Sequence, residues 1–176
     1  DDQRLLAIIA GQSAQVIENA RLYESEQALL RMKEEIRLAA RIQADLLPQV
    51  FPDVPGYEIA GRTIPAQDVG GDYFDFIAIE GRRLGICLGD VSGKGLPASL
   101  LMANVQATLR SQSLTNAPPQ LCIQRANKLL LQSTSPEKFV TLFYAVLDTI
   151  NHTLTYVNAG HEYPYLFTNA TEPTRL

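Results

Sequence analysis

Residues 68–95 read DVGGDYFDFIAIEGRRLGICLGDVSGKG. Within them, FDFIAIE (74–80) and RRLGICLGDV (82–91) are two apolar, β-prone runs joined by a turn at Glu80-Gly81, the pattern of a β-hairpin. Asp72 opens the first strand and Asp90 ends the second, each among glycines. A hairpin centred on that turn sets residue 72 roughly opposite residue 89. Asp72 and Asp90 then fall at the same end of one sheet, close enough to share an ion. Two carboxylates held close repel each other, and a hard cation relieves that cost. Glycines at 70, 71, 89, 93 and 95 remove side chains, so that backbone can approach a ligand and a carbonyl can serve as one. All the donors are oxygens, which points to magnesium or manganese. The bland alternative is turn chemistry, because Asp-Gly pairs are common at strand ends. Two such clusters facing each other across one hairpin favour a site.

Outward from the hairpin, Pro97 to Ser113 and Pro119 to Gln132 carry helical spacing, each with proline in its first turn. KFVTLFYAVLD (138–148) and TLTYVNA (153–159) read as strands around an Asn151-His152 turn, and Tyr165 to Phe167 starts another. YEIAGRTI (57–64) alternates weakly. Strands, two helices and strands make an α+β pattern with a mostly antiparallel sheet. Upstream, residues 1–47 hold one glycine, Gly11, and no proline, which predicts a long helical region. Its apolar seams, one through Leu6, Ile9, Val16 and Tyr23 and one through Leu22, Leu29, Met32, Ile36 and Gln43, are offset by one residue. The offset predicts two helices or a phase break near residues 22–28, and the spacing suits a parallel dimer stalk or a helix packed on its own domain. Small and polar residues at Ser13, Ala39 and Gln43 weaken the seam, as suits a helix that shifts. Pro48, Pro52 and Pro55 end the region.

Composition narrows the class. The chain has 176 residues, 46% of them hydrophobic, enough for an ordinary domain with its own core. A net charge of −4 argues against general nucleic-acid binding, and no apolar run approaches the ~20 residues of a membrane span. The two cysteines, Cys87 and Cys122, make neither a disulfide framework nor a zinc site, so a reducing cytoplasm is the simplest compartment. GDVSGKG is not a Walker A loop, since Gly89 and Gly93 have three residues between them and Gly95 follows Lys94. Lys94 is either a solvated loop lysine or faces an anionic substrate. His161 in VNAGHEYP reads as a turn or core residue, and no serine or cysteine nucleophile is set beside it. His152 sits in a polar turn.

ARIQADLLP (40–48), VGGDYFD (69–75), GDVSGKGLPASLLMA (89–103), FVTLFYAVLD (139–148) and YVNAGHEYP (156–164) occur in that order. Together they resemble the SpoIIE/RsbU branch of the metal-dependent serine/threonine protein phosphatases, the bacterial type 2C (PPM) family. The resemblance covers roughly residues 40 to 168. It implies an α-β-β-α sandwich of two antiparallel sheets flanked by helices, over residues 48–176, behind a helical stalk of residues 1–47. It implies a metal role for Asp72, Asp90 and the backbone carbonyl of Val91, with Gly71, Gly93 and Lys94 as candidates for the substrate loop. It also implies two Mn²⁺ or Mg²⁺ ions that activate a water for attack on a phosphoserine or phosphothreonine, with no phosphoenzyme. The substrate implied is a phosphorylated anti-sigma-factor antagonist. Residues 1–24 resemble the last helix of a GAF sensor domain, with 25–47 as a linker or switch helix. That part implies an upstream sensor domain and control through these helices, to which the seam spacing adds the expectation of a homodimer.

The family's further aspartates lie in segments resembling YTDG and DDxT, and the sequence contains neither. The phosphatase domain is therefore expected to be incomplete at its C-terminal side. The rival expectation is a non-catalytic dimerisation or interaction module, and a small-molecule phosphohydrolase stands behind it.

Overall fold

The computed structural model describes residues 2–65, 67–168 and 172–176. It forms two compact units, Asp1–Ala39 and Ala40–Leu176. The first is the body of helix α1, Asp2–Leu46. The helix runs on through residues 22–28, so the offset of the seams does not split it. A one-residue shift turns the apolar face by about 100° and leaves the backbone ladder intact. Leu6, Ile9, Val16 and Tyr23 of one seam and Leu22, Leu29 and Met32 of the other lie exposed, while Ile36 is half-buried.

The second unit begins with the last turns of α1, upstream of the boundary that the prolines suggest. Its frame is a four-stranded antiparallel sheet in the order β1 (Tyr73–Ile79), β2 (Arg83–Val91), β3 (Val140–Asp148), β4 (Thr153–Ala159). Helices α2 (Gly95–Ser113) and α3 (Pro119–Ser133) connect β2 to β3. Pro119 stands at the start of α3, where its missing N–H costs nothing. Alternation along the strands sorts the faces. Tyr73, Ile77, Cys87, Val91, Leu142 and Tyr144 meet Met102, Val105, Leu109, Cys122 and Ala126 of the helices, and this is the core. A second antiparallel sheet is a ribbon of β5 (Tyr165–Leu166) and β6 (Thr174–Arg175). The α+β class with antiparallel sheets and flanking helices stands as expected.

The opposite face of the large sheet carries Phe74, Leu84, Phe143 and Leu147, all buried. The segment 57–64, which alternates weakly in sequence, forms no strand; an isolated bridge pairs Val54 with Tyr57. A Cβ on Gly61 would lie 2.7 Å from the Phe74 ring, and Phe51 meets Phe76 edge-on at 5.8 Å. The segment thus crosses the sheet's face, covering aromatic rings in place of extending a ladder.

Candidate active site

The hairpin register is Tyr73↔Gly89 through Ile79↔Arg83. Continued by one residue, it puts Asp72 across from Asp90, where the sequence suggested residue 89. The loop is Glu80-Gly81-Arg82, with Gly81 and Arg82 at φ 81° and 57°, one residue longer than a two-residue turn. Asp72 and Asp90 are both exposed and line one cleft of about 280 Å³ together with Gly71, Gly93 and Lys94. Five of the six site residues read from the sequence therefore meet in one place. The sixth, Val91, is buried, and its carbonyl oxygen is turned onto Gly71: a Cβ there would come within 2.7 Å of it. Only glycine allows this close approach of the two loops.

Each loop is tied from a different direction. Thr63 Oγ1 donates to Asp72 Oδ2 at 3.2 Å. Gln43, buried near the end of α1, donates to the Gly70 carbonyl at 2.5 Å and accepts from the Gly70 N–H at 3.0 Å. Beyond Asp90, Ser92 accepts from the Phe139 N–H through its hydroxyl at 2.9 Å and donates its own N–H to the Phe139 carbonyl at 2.9 Å. Gly93 then turns at φ 107°, and the Lys138 ammonium lies 3.5 Å from where its Cβ would be. Two cations, Lys94 and Lys138, thus stand at this loop.

β3 supplies a further group. Thr141 is the register partner of Asp90, and Thr141 Oγ1 is 2.9 Å from His161 Nδ1. The Asn158 side chain accepts from the His161 N–H at 2.8 Å and donates to its carbonyl at 3.1 Å. On the helix side of β1, Asp75 is fully buried and takes Arg110 Nε at 2.7 Å, Arg110 Nη2 at 3.0 Å and the Tyr73 hydroxyl at 2.9 Å. Burial, then the neighbouring Cys87 and Asp75, push the Tyr73 phenol well above its ordinary value, so it stays a neutral donor. Arg110 and Asp75 anchor the strand that follows the candidate ligand Asp72.

The cleft's donors are two carboxylates, and hydrated Mg²⁺ is commonly held by one or two carboxylates, keeping waters and substrate phosphate in its other positions. The residues fit such an ion. Among the described residues no group of three or more His, Cys, Asp or Glu gathers to form a fuller cage.

The sequence does not single out Ser92 or Thr141, and His161 reads there as a turn or core residue. Gln43 was read as a weak point of the seam. A glutamine in an apolar seam just before the helix-ending proline was the available signal.

The family model for Stage II sporulation protein E (SpoIIE) matches residues 80–176. The chain belongs to the SpoIIE family. Among curated relatives of this SpoIIE-family chain, phosphoserine phosphatase RsbU of Bacillus subtilis is 32% identical, over 80% of this chain and 43% of that one. Protein IcfG of Synechocystis sp. is 30% identical over 73% of this chain and 24% of its own length. Phosphoserine phosphatase RsbP of Bacillus subtilis is 24% identical over 77% and 34%. The chain thus spans less than half the length of these relatives. Among solved structures, the RsbU and RsbW domains of Rv1364c from Mycobacterium tuberculosis match at a TM-score of 0.49 and 28% identity, covering 57% of this chain and 28% of that one. The phosphatase domain of SpoIIE from Bacillus subtilis matches at 0.44 and 16%, covering 61% and 46%.

Proposed function

We propose that this chain carries the catalytic portion of a metal-dependent phosphoserine/phosphothreonine protein phosphatase in bacterial partner-switching control of a sigma factor. The single observation behind the reading is the β1–β2 register, which brings Asp72 and Asp90 to one glycine-walled cleft. Membership of the SpoIIE family and the named phosphoserine phosphatases among its relatives support it. Asp72, Asp90 and the Val91 carbonyl would hold Mg²⁺ or Mn²⁺, two ions in the family, which when bound supply an activated water and neutralise phosphoryl charge. Lys94 lines the cleft and offers an ammonium to phosphoryl oxygens. Gly71 and Gly93 keep the cleft open to a phosphorylated side chain. Ser92 and Gln43 hold the two ligand loops in place. The substrate is a phosphorylated anti-sigma-factor antagonist, and the setting is cytoplasmic.

Control enters through α1. A sensor domain upstream, of which residues 1–24 are the last helix, moves the helix of a homodimeric stalk. Gln43 passes that movement to Gly70 and so to Asp72. No helix among the described residues is long and apolar enough to cross a membrane.

Phosphate release with Mn²⁺ tests the reading, comparing the chain with its Asp90→Asn variant. Metal-dependent release that the variant loses is expected. A higher kcat/KM on a phosphoserine protein than on free phosphomonoesters would separate it from a small-molecule phosphohydrolase. The lack of a third acidic ligand among the described residues favours a second reading, a non-catalytic interaction module. A Mn²⁺ titration with no binding that depends on Asp90 would support that one.

A further inference from the structure

We propose that His161 is the proton donor to the seryl or threonyl oxygen as it leaves phosphorus, held in position by Thr141 and Asn158. The proposal rests on the phosphatase reading above and adds a residue to it. Asp90 and Thr141 are cross-strand partners on the face of the sheet away from α2 and α3. Side chains so paired have Cβ atoms about 4.5–5.5 Å apart. Thr141 in turn holds His161 Nδ1 at 2.9 Å, so the imidazole stands one side chain from a candidate metal ligand. Its backbone is clamped on both sides by the Asn158 amide, after a turn at Gly160 with φ 77°. The ring is half-buried, and its Nε2 makes no hydrogen bond among the described residues. This is a fixed imidazole with one nitrogen committed and the other open.

The chemistry calls for such a group. A seryl alkoxide is a poor leaving group, and the two aspartates are acceptors only when ionised. Lys94 and Lys138 are exposed, on flexible stems, and suit phosphoryl oxygens better than directed proton transfer. With the Nδ1–H donating to Thr141 Oγ1, the protonated ring carries its transferable proton on Nε2. The oxygen of the attacking water forms the new bond to phosphorus while the P–O bond to the side chain breaks. The bonding pair stays on the seryl oxygen, which takes the Nε2 proton. The attacking water gives a proton to solvent, and the imidazole regains one from solvent. The products are the free hydroxyl and inorganic phosphate.

The test compares a phosphoseryl peptide with p-nitrophenyl phosphate, whose phenolate leaves without needing a proton. In His161→Gln, kcat on the peptide should fall about 100-fold, with KM little changed and a far smaller loss on the aryl ester. An equal loss on both substrates, or no loss on the peptide, overturns the assignment. A wild-type chain inactive on both overturns the phosphatase reading itself, and the proposal with it. Should the variant fail to fold, the wild-type chain still decides. It has two histidines, His152 and His161, so their imidazole resonances can be followed separately. Inorganic phosphate added with Mg²⁺ should shift His161 and leave His152 in place. A His161 signal that stays still at saturating phosphate overturns the proposal.

Discussion

Asp75 and Arg110 share one ion pair but not one environment. Asp75 is fully buried, while the Arg110 side chain is 50% exposed. Removing the arginine leaves a carboxylate with no water to turn to, and removing the carboxylate leaves a guanidinium that can hydrate. Arg110→Ala should therefore cost about 3–5 kcal/mol, the range for an uncompensated buried charge. Asp75→Asn should cost about 1–3 kcal/mol, since Tyr73 and Arg110 keep an acceptor. Urea midpoints at unchanged m decide it, and the reverse order would show that the pair is organised otherwise. Gly71 and Gly70 make a second contrast. A Cβ at Gly71 meets the Val91 carbonyl at 2.7 Å, whereas at Gly70 the nearest atom is Pro65 Cβ at 3.5 Å, an ordinary contact. Backbone cannot step aside as a side chain can, so Gly71→Ala must part the loops that carry Asp72 and Asp90. Calorimetric titration with Mn²⁺ should show affinity about 10–100-fold weaker for Gly71→Ala, as for other lost supports of a metal site, and unchanged for Gly70→Ala.

The end of α1 and the loop before β1 are joined by one side chain. Gln43 satisfies both backbone groups of Gly70, and no apolar residue could. Gln43→Ala should lower stability by about 1–3 kcal/mol through the two unpaired groups, and raise the Mn²⁺ concentration needed for half-maximal phosphate release. Gln43→Glu keeps the acceptor for the Gly70 N–H but sets a carboxylate against the Gly70 carbonyl, and should shift that concentration further. Equal metal dependence in all three proteins would uncouple α1 from the site. The hairpin and both aspartates were legible in the sequence because alternation and turn chemistry are local signals. The register slipped by one because the loop takes in Arg82 at positive φ, a conformation the residue type does not announce. The Gln43 clamp was not legible, since its partner is a backbone group of Gly70, far along the chain. His161 was not legible either, because its holder, Thr141, is brought to it by strand pairing across twenty residues. The weak alternation of 57–64 left its partner open, because alternation marks one buried face and does not say whether that face meets a strand or a ring.

At the scale of the whole molecule, the exposed seams of α1 call for a partner. Leu22, Leu29 and Met32 are 59%, 52% and 58% exposed on a helix whose own unit offers nothing to cover them. Fully burying one such side chain is worth about 1.5–3 kcal/mol, so a few heptads pay for association even after the entropy of joining two chains. Light scattering should therefore give twice the 19.4 kDa of one chain. Met32→Arg, which drives a charge into the second seam, should give one chain's mass at the same concentration, with the sheet unit still folded by circular dichroism. Deleting residues 1–38 should do the same, because what remains begins near Ala40, the start of the second compact unit. The two variants then separate assembly from control. If the stalk transmits a signal through Gln43, both monomers should differ from the dimer in the metal dependence of phosphate release, and Gln43→Ala should abolish that difference. A chain that is monomeric from the start, and fully active after the deletion, removes the stalk from the mechanism and leaves the Gln43 contact as a purely structural tie.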